Sequence, residues 1–213
     1  MRNYFHEQLH QLHQELTEMG ETCEAAISAA SEALLKNDDA LAAAAENAEE
    51  ELDCQEREVE DLCLKLLLRQ QPVAGDLRKI SAALKMISDL ERIGDQAADI
   101  AELARAIHVP VDNLHIADMT EAVIRMVTDS VDAFVRQDLE LARAVYAADD
   151  QVDALFDRVK QELIALIAAD ASNGGLGLDL LMVAKYLERI GDHATNVAEW
   201  VEYSLTGVHP NSQ

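Results

Sequence analysis

The hexapeptide Leu90-Glu91-Arg92-Ile93-Gly94-Asp95 returns 97 residues later as Leu187-Glu188-Arg189-Ile190-Gly191-Asp192. The match runs on through Ala97 against Ala194 and Ala101-Glu102 against Ala198-Glu199. A second alignment, at an offset of 100, sets Leu41, Ala45, Ala48, Leu52, Asp53, Val59 and Leu66 against Leu141, Val145, Ala148, Val152, Asp153, Val159 and Leu166. Self-similarity at a long period marks a duplicated supersecondary unit. Whatever the first half folds into, the second half must fold into as well.

The repeated unit is helical. Apolar residues recur in steps of three and four at Leu9, Leu12, Leu16 and Met19 and onward to Leu34, which predicts a first helix ending near Asn37-Asp38, a turn and an N-cap. A second seam runs through Leu41, Ala45, Ala48, Leu52, Val59, Leu62 and Leu66, with Gln55 as its one polar interruption, until Pro72. A third starts at Pro72-Val73, passes Leu77, Ile80, Leu84, Ile87, Gly94, Ala98 and Ala101, and is broken by His108-Val109-Pro110. The second half predicts helices over Ile116–Arg136, Asp138 to about Ala171, and Leu178–Leu205, with a loop at 172–177 and a loose tail from Gly207 to Gln213. Short connections favour antiparallel neighbours. The expected fold is all-α: six helices as two tandem homologous three-helix bundles, residues 1–108 and 112–206.

Charge narrows the function. A formal net charge of −24 repels phosphate backbones and anionic lipid, which argues against direct nucleic-acid binding. Cys23, Cys54 and Cys63 are odd in number and form no CxxC pair, so they do not read as a secreted disulfide framework, and the cytoplasm is the expected compartment. Cys54 and Cys63 read as small buried apolar residues. The N-terminus enters a Gln- and Glu-rich helix with no apolar signal core, and no apolar stretch reaches membrane-spanning length, so membrane insertion is not expected. A Gly-rich phosphate loop, a nucleophile elbow and a zinc-protease motif are all missing, which argues against an enzyme.

Paired carboxylates stand out instead. Glu49 with Asp53, Glu91 with Asp95, Asp149 with Asp153, and Glu188 with Asp192 each lie four residues apart, one turn along the same helix face, where like charges repel. The seam spacing calls for an apolar residue at Glu91. Each pair borders or enters a seam, so an Arg, a hydrogen-bond network or a metal must offset it. Arg92 and Arg189 point about a quarter-turn away from Glu91 and Glu188, placing them to pair with other groups. Gly94 and Gly191, unfavourable mid-helix, suit a close approach by a neighbour or ligand. Oxygen-only donors on facing helices suit hard cations such as Mg, Ca, Mn or iron; a metal-free salt-bridge network is the other reading. His6, His10 and His13 share one face of the first helix and offer a weaker candidate for a transition metal. His193 has no counterpart at Gln96.

Three stretches carry a resemblance: Arg69-Gln70-Gln71-Pro72-Val73-Ala74-Gly75-Asp76-Leu77-Arg78, Asp89-Leu90-Glu91-Arg92-Ile93-Gly94-Asp95, and the run from Leu187 to Glu199. Over nearly its whole length the chain resembles the PhoU family of phosphate-transport regulators. The resemblance implies metal ions (iron, Mn, Mg, Zn or Ca) at the four acidic pairs, often as multinuclear clusters, with Asp99, Glu102, Asn196 and Glu199 as candidates to support the ligands. It implies a negative regulator of phosphate uptake and phosphate-starvation signalling, contacting the ATPase subunit of the phosphate ABC transporter and a phosphate-sensing histidine kinase, cytoplasmic or held at the inner membrane through those partners. A homodimer is also implied. Alternatives are an accessory protein of another phosphate permease and a metal-free helical interaction scaffold. The chain departs from internal symmetry with Asp99 against Asn196 and Glu49 against Asp149.

Overall fold

The computed structural model describes residues 2–70, 72–107 and 114–210. They form α1 (Arg2–Lys36), α2 (Asp39–Gln70), α3 (Ala74–Ala106), α4 (Ile116–Arg136), α5 (Leu139–Ala169) and α6 (Gly174–Thr206), with a single 3₁₀ turn at Ala171–Asn173. No strand occurs among the described residues. His108-Val109-Pro110, the expected breaker of α3, and the expected boundaries at 108 and 112 lie outside them.

The two halves start their middle helices in the same way. Asn37 and Gln137, 100 residues apart, are both left-handed (φ 52° and 55°), and each is followed by an aspartate that caps the next helix. Asp38 Oδ1 accepts from the Ala40 amide at 2.8 Å, and Asp138 Oδ1 accepts from the Leu141 amide at 3.0 Å. The α5–α6 junction differs from expectation. Asp170 accepts the Ser172 amide at 2.9 Å, and α6 begins at Gly174, so 174–177 are helical rather than loop. Gly177 is useful there as a gap: a Cβ on it would lie 2.7 Å from Ile167 Cδ1 of α5. The tail is also less loose than expected. Gly207 (φ 80°) closes α6 as its left-handed C-cap, and the His209 ring packs edge-on against Trp200 at 4.6 Å between centroids.

Contacts between helices define the architecture. Helices α1, α4, α6 and α3 form a ring in which each touches its two neighbours; α2 braces the α1–α3 side and α5 the α4–α6 side. One continuous apolar cluster runs through both halves, from Leu12, Leu16 and Ile27 to Leu187, Ile190 and Val201. The halves are related by a pseudo-two-fold rotation. A Cβ on Gly20 of α1 would lie 3.2 Å from Val131 Cγ2 of α4, and the positions 100 residues away, Thr120 and Ser31, meet through a buried 2.9 Å hydroxyl pair. α1 and α4 are therefore antiparallel. The same holds for α3 and α6, where the Arg78 guanidinium near the start of α3 lies against Gly207 at the end of α6. The ring has two faces: one carries the α2/α1, α1/α4 and α4/α5 grooves, the other the α2/α3 and α5/α6 grooves.

Candidate functional site

The four acidic pairs gather as two clusters on one face, at the α2/α3 and α5/α6 grooves. In the first, burial raises the pKa of Glu49, with Asp53 and Asp95 adding repulsion. Burial likewise raises Glu91, with Asp95, Glu56 and Asp53 pushing the same way and Arg92 opposing. Each pair thus feels the other across the groove. Gly94 permits the approach: a Cβ there would sit 2.5 Å from Leu52 Cδ1. Arg92 corrects an expectation. Its exposed arm folds along α3 so that Nη1 lies 2.6 Å from Asp95 Oδ2 and Nε 3.4 Å from Glu91 Oε2; reach along the helix outweighs the quarter-turn offset at Cβ. Arg57 Nη2 holds Asp53 Oδ2 at 2.9 Å.

In the second cluster Asp149 is pushed up to about 6 by burial, then by Asp192, Asp153, Asp150 and Glu188. Burial and Glu188 raise Asp192 against the opposing pull of Lys185. A Cβ on Gly191 would lie 3.3 Å from Asp149 Oδ1, so the glycine's close neighbour here is a site carboxylate itself. Lys185 pairs with Glu188 and sits 5.7 Å above the Phe156 ring. Arg189 faces Asp99 across the α3–α6 contact, in keeping with the expected separation from Glu188.

The supporting residues divide. Asn196 Nδ2 donates to Asp89 Oδ1 at 3.1 Å, and His193 Nδ1 lies 2.9 Å from the same oxygen. The pseudo-symmetric position pairs Tyr186 with Asp99, whose carboxyl pKa is raised by burial and then by Asp95 and Glu102. Glu199 lies 3.8 Å from His209 Nε2, and Glu102 is exposed. Asp89 escaped the spacing argument because its role is to join the two repeats; the signal was its place at the head of a repeated motif whose other copy begins with Tyr186. His10 and His13 line the α1/α4 groove, His13 stacking edge-on to Phe134, while His6 is exposed. Cys54 is exposed, contrary to expectation, because it faces outward from α2 beside the seam. Cys63 is buried, its thiol pushed up to about 12 mainly by that burial, which suits a packing residue.

Both clusters match a hard cation in donor type, being oxygen-rich and mutually repelling. Among the described residues, no three His, Cys, Asp or Glu side chains converge as a metal would require. The cations now resting on these carboxylates, Arg57, Arg92 and Lys185, are on largely exposed arms, with side-chain exposures of 69%, 59% and 44%. The donor set therefore fits a metal in kind, though not in its present convergence.

Fold and site together define a class: a six-helix protein built by duplication, with a pair of carboxylate-lined grooves on one face. The PhoU domain matches residues 16–104 and again 116–201. The chain belongs to the PhoU family. It is 38% identical over 210 residues, 97% of this chain and 96% of the relative, to a protein of Clostridium acetobutylicum named as a phosphate-specific transport system accessory protein PhoU homolog. A Caulobacter vibrioides relative with the same name is 36% identical, over 97% of this chain and 92% of its own length. The crystal structure of PhoU from Pseudomonas aeruginosa superposes with a TM-score of 0.89 at 32% identity, covering 96% of this chain and all of that one. The Streptococcus pneumoniae phosphate transport system regulatory protein PhoU gives 0.86 at 26% identity, over 97% and 99%. No helix among the described residues is long and apolar enough to cross a membrane.

Proposed function

We propose that this chain is a non-enzymatic accessory and negative regulator of phosphate uptake and phosphate-starvation signalling, acting in the cytoplasm as an adaptor between the ATPase of a phosphate ABC transporter and a phosphate-sensing histidine kinase. The observation that carries the reading is family membership over nearly the whole chain, with relatives named for the phosphate-specific transport system. Metal ions held by Glu49, Asp53, Glu91 and Asp95 on one side, and by Asp149, Asp153, Glu188 and Asp192 on the other, would offset the burial and the mutual repulsion that raise Glu49, Glu91, Asp149 and Asp192. The ions would also give the acidic face a switchable charge. A homodimer is part of the proposal.

Deleting the gene tests the role. Phosphate uptake and alkaline phosphatase should become constitutive in phosphate-rich medium, and the wild-type gene should restore repression. A deletion that leaves both regulated overturns the reading. A metal-free docking scaffold is favoured by one observation: Arg57, Arg92 and Lys185 already rest on the carboxylates. Stability and partner binding that EDTA leaves unchanged would select that version, in which the acidic stripes themselves dock onto basic partner surfaces.

A further inference from the structure

The face opposite the acidic clusters holds a pair of grooves that correspond position by position. Between α1 and α2 lies a groove of about 350 Å³ over Ala25, Ala48 and Gln55, walled by Glu18, Glu21 and Glu51. Between α4 and α5 lies one of about 320 Å³ over Ala122, Ala148 and Leu155. At the offset of 100 the two line up, and the second repeat is more positive at three places: Ala25 becomes Arg125, Glu51 becomes Gln151 and Glu58 becomes Arg158. Arg125 and Arg158 both line the second groove. Helix propensity does not explain the changes, since Ala and Glu serve an exposed helix as well as Arg.

Two guanidiniums, Arg125 and Arg158, share this groove with two carboxylates, Asp118 and Glu121, in a chain of net charge −24. Arg158 makes no ion pair among the described residues. Arg125 pairs with Glu121, one turn away at 3.1 Å, both largely exposed, and also attracts Asp129; such exposed pairings are worth little and readily exchanged. His115 closes one end of the groove and is held in place by Glu162, with Nδ1 2.6 Å from Oε1. A planar guanidinium offers paired donors to a tetrahedral oxyanion. The net charge of the chain opposes an anion only weakly there, because charges more than about 10 Å away are screened at 0.1 M salt.

We propose that the α4–α5 groove is an anion site for inorganic phosphate, clamped by Arg158 and by Arg125 released from Glu121, and that the α1–α2 groove is its inactive counterpart. The choice of phosphate among oxyanions rests on the regulatory reading; the anion site itself does not. Equilibrium dialysis of the purified protein with radiolabelled inorganic phosphate at about 0.1 M salt, where distant charge is screened, tests it. Variants Arg125→Ala and Arg158→Glu install the residues of the first repeat at exposed positions, and circular dichroism checks their fold. The double variant should bind phosphate at least about ten-fold more weakly. Glu121→Gln, which removes the competing carboxylate, should bind several-fold more tightly. Equal binding by wild type and double variant, or no wild-type binding at roughly 10 mM phosphate, overturns the site. That failure leaves the regulatory role intact if gene deletion still derepresses uptake, whereas regulated uptake in the deletion strain overturns the role and not the site.

Discussion

Gly94 of α3 brings Leu52 of α2 so near that a methyl group on the glycine would lie 2.5 Å from Leu52 Cδ1. The first acidic cluster therefore depends on a missing side chain. Gly94→Ala gains about 1 kcal/mol of helix propensity but overpacks a fully buried leucine, at about 1–3 kcal/mol. The net effect should be destabilising. Leu52→Ala alone should cost about 2–5 kcal/mol, and the double variant distinctly less than the sum. A urea-denaturation double-mutant cycle measures that coupling; additive effects would disprove the contact.

Asp149 gives stability a pH dependence of definite sign. Its folded pKa is raised to about 6, above the value of about 3.9 expected when unfolded. The folded chain holds this proton more tightly, so the contribution is complete below about pH 4 and is lost as pH rises through about 6. Asp149→Asn should flatten the fall in melting temperature over that window and melt higher than wild type at pH 7.5. Thermal melts of both proteins from pH 4 to 8 decide it; parallel curves would refute the assignment.

If the clusters take metal, relief of the same repulsion should appear as ligand-dependent stability. Mn or Ca at about 100 times its dissociation constant would add about 2.7 kcal/mol. The melting temperature at pH 7.5 should rise with added metal and fall back with EDTA. Glu188→Gln with Asp192→Asn should remove part of the rise and leave the first cluster's share. No rise with any divalent or trivalent ion, iron included, would eliminate metal from the proposed function.

Asp89 receives both His193 and Asn196 across the α3–α6 contact. Asp89→Ala leaves those polar groups half-buried and unpaired, at about 1–3 kcal/mol. By contrast, Arg105→Ala, which breaks a half-exposed pair with Glu46, should cost under about 1 kcal/mol. Chemical denaturation of the two variants should rank them in that order.

The helices and the membership of each acidic cluster were readable because both follow from spacing along one helix and from duplication. Leu41 to Leu66 could be laid on one face without knowing what covered it. What escaped were relations that spacing does not carry. Gly174 to Gly177 read as loop because glycine signals a break, whereas Gly177 is there to admit Ile167. Arg92 was assigned by the direction of its Cβ, and a long side chain need not follow that direction. The Asp89 contact joins residues more than a hundred apart and has different chemistry in its symmetric copy, so the repeat alignment marks the position but not its partners.

The α1–α4 and α3–α6 contacts, each mapped onto itself by the pseudo-two-fold, bear on how such a chain could arise. A peptide half as long, pairing with an identical copy of itself, could build the same ring, each contact made twice. Fusing the two copies lifts the requirement that both ends of every contact be the same residue. Asp89 and Tyr186, or Gly20 and Thr120, are then free to part company. Mutation in one half no longer has to be tolerated in the other, and a symmetric scaffold becomes one with two different sides.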